Sequence, residues 1–261
     1  SFIFLSAMLV SSGANLILTL VNSLDALFER ADSAHFVQMH AGELDQAALE
    51  QWADENPLVA AQQTVEMLTI DGSDLFLGDT QESEANTVMD ISFVVQNTGF
   101  DFLLDLNSEI IAVVPGEIAV PIYFMQESDL NIGDTVRVVT DTIDMTFTIS
   151  DFVRDAQMNP AIVHSKRFVI PPTDYDALKT HITDVEYLIE FQLTDASLVS
   201  DFRNEYIAAQ LPNRGPSLEE QLFMVLNGLT DGIVAMVVIF LSILLIVIAI
   251  LCLRFTILAT L

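Results

Sequence analysis

The chain is nearly without cysteine. Cys252 is its one thiol, so no disulfide can form within it, and any folded part must hold itself together by its own apolar core. Basic residues are almost as scarce: 9 lysines and arginines stand against 37 aspartates and glutamates, a formal net charge of −28. That balance repels a phosphate backbone, so nucleic acid is excluded as an expected partner. No Gly-x-Ser-x-Gly elbow, lysine-bearing phosphate loop or dinucleotide glycine fingerprint occurs. There is no Asn-x-Ser/Thr acceptor for N-glycosylation, which suits a bacterial chain.

What is present is strongly segregated. All 37 acids lie between Asp25 and Asp231, with eight of the nine bases, so that stretch carries 8 − 37 = −29 and the ends carry only Arg254. The order is apolar, acidic, apolar. Ile233 to Leu253, IVAMVVIFLSILLIVIAILCL, has no charge. At about 1.5 Å per residue it covers the roughly 30 Å hydrocarbon core and reads as a membrane span. Ser1 to Leu24 is also uncharged, but Ser6, Ser11, Ser12, Gly13, Asn15, Thr19 and Asn22 interrupt it. A signal peptide would show a basic start and a small-residue cleavage site, and neither is there. Ala7, Ser11 and Gly13 suit a span packed against other spans. Two spans put both ends on one side, and Arg254 places that side in the cytoplasm and the acidic domain outside the cell membrane. The chain starts without Met in an apolar run and ends in LRFTILATL, so we expect the native protein to begin before Ser1 and continue past Leu261.

Within the acidic stretch, periodicity predicts strands over residues 35–40, 59–70 and 186–193 and helices over 45–56, 173–181 and 198–211. Asp71-Gly72 predicts a hairpin into a strand at 75–77. Residues 88–163 read as a run of short strands, FLLDL and IIAVV among them, with one short helix over 125–130. The expected fold class is an α+β extracytoplasmic domain flanked by two transmembrane helices. It divides into the first span and its extension (1–30), an extracytoplasmic domain (31–218) and the second span with the start of a cytoplasmic segment (219–261). The domain itself comprises a βαβ-type lobe (31–82 and 165–218) and a β-rich insert (83–164).

Few residues point to chemistry. His35 and His40 fall on opposite faces of a strand and do not converge on a metal. Asp71-Gly72-Ser73-Asp74 lacks the spaced ligands of a calcium loop. We assign no catalytic residue and no metal ligand, and expect no enzyme activity in this chain. Arg154, Lys166 and Arg167 hold most of the basic charge in the middle of the domain and are expected to form ordinary ion pairs with surrounding acids. A binding role for Arg154 or Lys166 is the alternative.

One stretch points further. GEIAVPIYFMQESDLNIGDTVRV, Gly116 to Val138, resembles an element of the permease subunits of MacB/FtsX-type ABC transporters, matched at Gly116, Glu117, Ile118, Ala119, Leu130, Gly133, Asp134 and Val136. MTFTISDFVRD, Met145 to Asp155, is similar to the strand that follows it in that family, with Ser150-Asp151 in place of the family's glycine. The resemblance implies four spans per subunit, two of them here. It also implies a permease dimer and a separate cytoplasmic ABC ATPase that holds ATP and Mg, so this chain carries no cofactor. The outer domain would be moved by ATP-driven closure, for export or extraction of a lipid, lipoprotein or peptide, or for control of a cell-wall enzyme. Gly116, Glu117, Gly133 and Asp134 become structural turn residues, Gly133 at positive φ and Asp134 capping its turn. Arg254 becomes the cytoplasmic boundary. The substrate-binding residues are unknown. The charge favours an extracytoplasmic protein or cationic peptide as a further partner. The alternative reading is a two-span membrane sensor whose outer domain binds a ligand.

Overall fold

The computed structural model describes residues 22–160 and 163–219, and single positions 15, 19, 240, 243, 244, 247, 248 and 250, all of them helical. Apart from those positions and 22–24, the two expected spans and Arg254 lie outside the described residues. Among the described residues no helix is long and apolar enough to cross a membrane. Leu27–Met224 forms one compact unit, and Ser1–Ala26 with Val225–Leu261 forms another.

The first unit is a mixed α+β domain built on one sheet of ten strands: β1 (Phe36–Ala41), β2 (Val59–Ile70), β3 (Leu75–Leu77), β4 (Asp90–Val94), β5 (Glu117–Pro121), β6 (Thr135–Val139), β7 (Asp144–Val153), β8 (Ser165–Val169), β9 (Val185–Leu193) and β10 (Ser217–Glu219). Its order is β10-β1-β9-β2-β4-β8-β5-β7-β6-β3. Helices α1 (Gln46–Glu55), α2 (Ile122–Glu127), α3 (Pro172–Lys179) and α4 (Val199–Ala208) accompany it, and residues 27–31 are helical as well. β9 is antiparallel to both β1 and β2, so β1-α1-β2 is a crossover with one strand between its ends. β10 is antiparallel to β1, so β9-α4-β10 is a second such crossover, interlaced with the first. Two interlaced split βαβ units make a ferredoxin-like half. Everything between β2 and β9 is inserted into it. The sheet is continuous across the expected lobe boundaries: β4, within the expected insert, and β8, which opens the expected lobe at Ser165, pair in parallel over five positions.

The inserted half is rolled. β2 and β3 are six inter-strand steps apart in the sheet order, about 29 Å if the sheet were flat. Only residues 71–74 join them, a reach of at most about 18 Å. The strands must therefore curl until β3 returns toward the end of β2. This geometry replaces the expected hairpin: β3 pairs with β6 rather than β2, because Asp71 closes a 3-10 turn over Gly72–Asp74 by accepting the Ser73 N–H at 2.8 Å. The short helix sits at Ile122–Glu127 instead of 125–130, since Pro121 ends β5 and starts the helix. FLLDL and IIAVV are not strands but a loop with isolated bridges, Leu104 to Ile110 and Leu104 to Arg154.

Alternation assigns each strand's side chains to one of two faces. On one face, α1 and α4 cover Phe36, Ile189, Phe191 and Leu193 with Leu49, Phe202 and Tyr206. The rings of Phe191 and Phe202 meet there at 4.9 Å. The roll encloses Leu68, Ile70, Phe93, Phe147, Phe168 and Tyr175. The opposite face carries Val37, Val65, Met67, Leu188, Val94 and Val169, covered by Leu27, Phe28 and Ala31 and by a long loop bearing Phe100, Leu103, Leu104 and Ile111.

Candidate functional site

Under that loop lies a buried ionic centre where the two halves of the sheet meet. Arg167 stands on β8 and Glu190 on β9, both on the loop-covered face. Gln63 of β2 lies beside Glu190 in register. Arg167 forks onto Asp155, Nε to Oδ2 at 2.7 Å and Nη2 to Oδ1 at 2.7 Å. Its Nη1 donates to Asp101 Oδ2 at 2.9 Å and lies 3.7 Å from Glu190 Oε1. None of these four side chains is more than 5% exposed. Glu190 accepts from Gln63 Nε2 at 2.6 Å and from Gln157 Nε2 at 3.2 Å. Asp155 also accepts the N–H groups of Gln157 and Met158, each at 2.9 Å. Asp101 reaches the centre from a backbone with φ +51, and its N–H donates to the Asp32 carbonyl at 2.8 Å.

The four groups respond differently to the same environment. Burial alone would raise the Asp155 carboxyl, but the Arg167 charge and its fork, with two backbone N–H donors, hold it below the usual carboxylate range. Burial raises Asp101, which Arg167 only partly offsets. Burial, then the Asp101 carboxyl, push Glu190 well above the carboxylate range. Next along β8, Lys166 donates its Nζ to the carbonyls of Met158 (2.7 Å), Pro160 (3.0 Å) and Val163, and burial brings its ammonium down to about 8. Lys166 therefore ties down the segment after Asp155 and has no donor left for a ligand. Arg154 is half-buried and donates to Ser108 Oγ at 3.2 Å. The expectation of ordinary ion pairs is corrected for Arg167, whose partners are all buried.

The residues marked out by the family-like element lie elsewhere, around the middle of β7. Gly116 (φ +84) accepts from the Thr148 N–H at 2.9 Å, and Gly133 (φ +95) donates to the Ile149 carbonyl at 2.8 Å. Two corners 17 residues apart thus hold one dipeptide from its two sides. Gly116 N–H donates to Asp174 Oδ2 at 2.7 Å, which ties the corner to α3. Glu117 opens β5 and its carboxylate accepts the Val114 N–H at 3.3 Å. Asp134 Oδ2 accepts the Asn131 N–H at 2.7 Å and closes the turn. At Ser150-Asp151 β7 carries a bulge: Ile118 pairs with Ile149 and Ala119 with Asp151, so Ser150 is the extra residue.

His35 accepts the Leu193 N–H and His40 the Arg214 N–H, both at Nδ1, so each serves the backbone. Among the described residues no three His, Cys, Asp or Glu side chains group as metal ligands. One cleft of about 440 Å³ opens at the rolled end, edged by Asp71, Asp74, Asp141, Asp184 and His181. Another of about 490 Å³ is edged by Asp79, Glu82, Glu84, Asp129 and Asp134. No lysine or arginine lines either one, so both favour cations over anions.

No family model and no curated protein matches the chain. Among solved structures it is similar to the periplasmic region of MacB from Actinobacillus actinomycetemcomitans, at 9% identity and a TM-score of 0.38, covering 75% of this chain and 92% of that one. It is also similar to a domain of a protein described as a permease from Porphyromonas gingivalis, at 14% identity and a TM-score of 0.36, covering 69% and 85%. Both likenesses are distant, and the functional reading rests on the chain's own residues.

Proposed function

We propose that this chain is part of the permease subunit of an ABC transporter of the mechanotransmission type, its acidic domain outside the cell membrane and its ATPase a separate cytoplasmic subunit. What carries the reading is how the domain is connected. It is inserted between two uncharged segments, and its two connections run side by side: Phe36, at the start of β1, is registered against Glu219, at the end of β10. A motion delivered by the flanking segments therefore reaches the sheet at one edge. The buried Arg167 centre then joins the ferredoxin-like half to the rolled half, so the domain answers as one body. The element from Gly116 to Val138, with both glycine corners on β7, is the sequence support for the family.

On this reading the domain performs no chemistry; it moves, and it offers acidic surface to a cargo or partner. A basic peptide suits that surface, and its binding weakens as salt rises. The test is purification of the full-length protein from its native membranes in mild detergent, followed by an assay of ATP hydrolysis. A stoichiometric ATPase subunit is expected. A chain that purifies with a kinase, or with no nucleotide hydrolase, refutes the transporter and leaves the two-span sensor.

A further inference from the structure

The Arg167 centre has more acid than base. Three carboxyl groups surround one guanidinium, all four buried, and Lys166 spends its donors on carbonyl groups instead. Asp101 and Glu190 both lie within 4 Å of the same nitrogen, Nη1, at 2.9 and 3.7 Å. Two carboxylates drawn to one nitrogen at full burial repel each other, and the repulsion is relieved when one of them carries a hydrogen. A second sign is Gln157. Its Oε1 is buried without a donor, while Nε2 of the same amide lies 3.2 Å from Glu190. With the amide turned over, that oxygen takes the place of Nε2 beside Glu190, where a carboxyl that carries a hydrogen would donate to it.

We propose that the centre is a proton-binding site: Glu190 and Asp101 share one proton beside Arg167, and the bound proton keeps the joint between the two halves of the domain closed. Charged and titratable groups face the pair from every side. Arg167 comes from β8, whose Lys166 alternates to the other face, Asp155 from the segment after β7, and Asp32 from ahead of β1. The Asp32 carboxylate is turned outward onto Gln192 at 2.8 Å. β2 presents only neutral Gln63. When the proton leaves, two like charges share one guanidinium already forked onto Asp155. Asp101 gives way first: it stands on the covering loop, whereas Arg167 and Glu190 are in strands and Asp155, on the β7–β8 connection, is fixed by two backbone N–H bonds. The covering loop, residues 97–111, is then released.

This inference does not depend on the transporter reading. Its test is infrared difference spectroscopy of the full chain in detergent, wild type against Glu190→Gln, which keeps the shape of the neutral acid. At about pH 7 the wild type shows the C=O band of a protonated carboxyl and Glu190→Gln loses it. Thermal unfolding gives the companion measurement. Above the ordinary carboxylate range the wild-type unfolding constant rises by up to about tenfold per pH unit relative to Glu190→Gln. Hydrogen exchange in residues 97–111 also quickens toward alkali in the wild type beyond its intrinsic rate. No such band, a band that survives Glu190→Gln, or a variant less stable than wild type by a margin that widens toward alkaline pH would each overturn the proposal.

Discussion

Replacing Arg167 by leucine removes the one cation from a site that holds three acids. Arg167 makes three charge-assisted hydrogen bonds in the centre, two to Asp155 and one to Asp101. Counted singly at about 1.5–3 kcal/mol each, they would sum to about 5–9 kcal/mol. That sum overstates the loss. Asp155 keeps its two backbone donors, and Asp101 can take up a proton in place of the lost charge. The better guide is the cost of removing one partner of a buried pair, about 3–5 kcal/mol. Against a typical domain stability of about 5–15 kcal/mol, that brings the domain near unfolding. The assay is a urea titration of the full chain in detergent, followed by the fluorescence of Trp52, the one tryptophan, which packs against Phe191 and Phe202. The pH dependence supplies the sign. The Asp155 carboxyl is depressed in the folded state, so its contribution is present above its unfolded value near 3.9 and is lost as pH falls through the lower folded value. The gap between wild type and Arg167→Leu must therefore narrow below about pH 4. A loss under about 1 kcal/mol, or a gap unchanged by acid, would refute this account of the centre.

Other outcomes follow from the same structure. Gly72→Ala places a Cβ 2.4 Å from the Glu84 carbonyl oxygen, backbone that cannot yield cheaply, and should cost about 2–3 kcal/mol in the same titration. Gly116→Ala meets nothing within 4 Å and loses only for its positive φ, about 1–2 kcal/mol; the reverse order would contradict the close approach at Gly72. The acidic stretch, at −29, repels itself, so its melting temperature should climb from low to molar salt, and a flat salt series would show that the charges are already balanced locally.

Much of the domain could be read from residues alone. Strict alternation in EYLIEFQL predicts β9, and Asn56-Pro57 predicts the end of α1. The ionic centre could not be read this way, for a physical reason. Glu186, Leu188, Glu190 and Gln192 share one face of β9, a composition that reads as solvent-facing. In the fold, the loop of residues 97–111 lies over part of that face and buries Glu190. SKRFV is buried at all five positions, charges included, because the sheet is covered on both sides at β8. Asp101, Asp155 and Glu190 stand 66, 12 and 23 residues from Arg167, separations that no local pattern can join. The turn at Gly133 was legible because its requirement is local: a glycine followed by an aspartate whose carboxylate reaches back three residues.

The pairing of β1 with β10 also sets how the domain fails under load. The rungs run Phe36 to Glu219, Val37 to Leu218 and Gln38 to Ser217, with further stitches from Met39 to Pro216 and Ala41 to Arg214. A pull shared by both strands strains none of these rungs. A pull that spreads them loads Phe36 and Glu219 first and the next rung only after that one parts, as a zipper opens, instead of sharing the force among all of them as a lap joint does. The domain is therefore a stiff handle in one direction and a tear line in another.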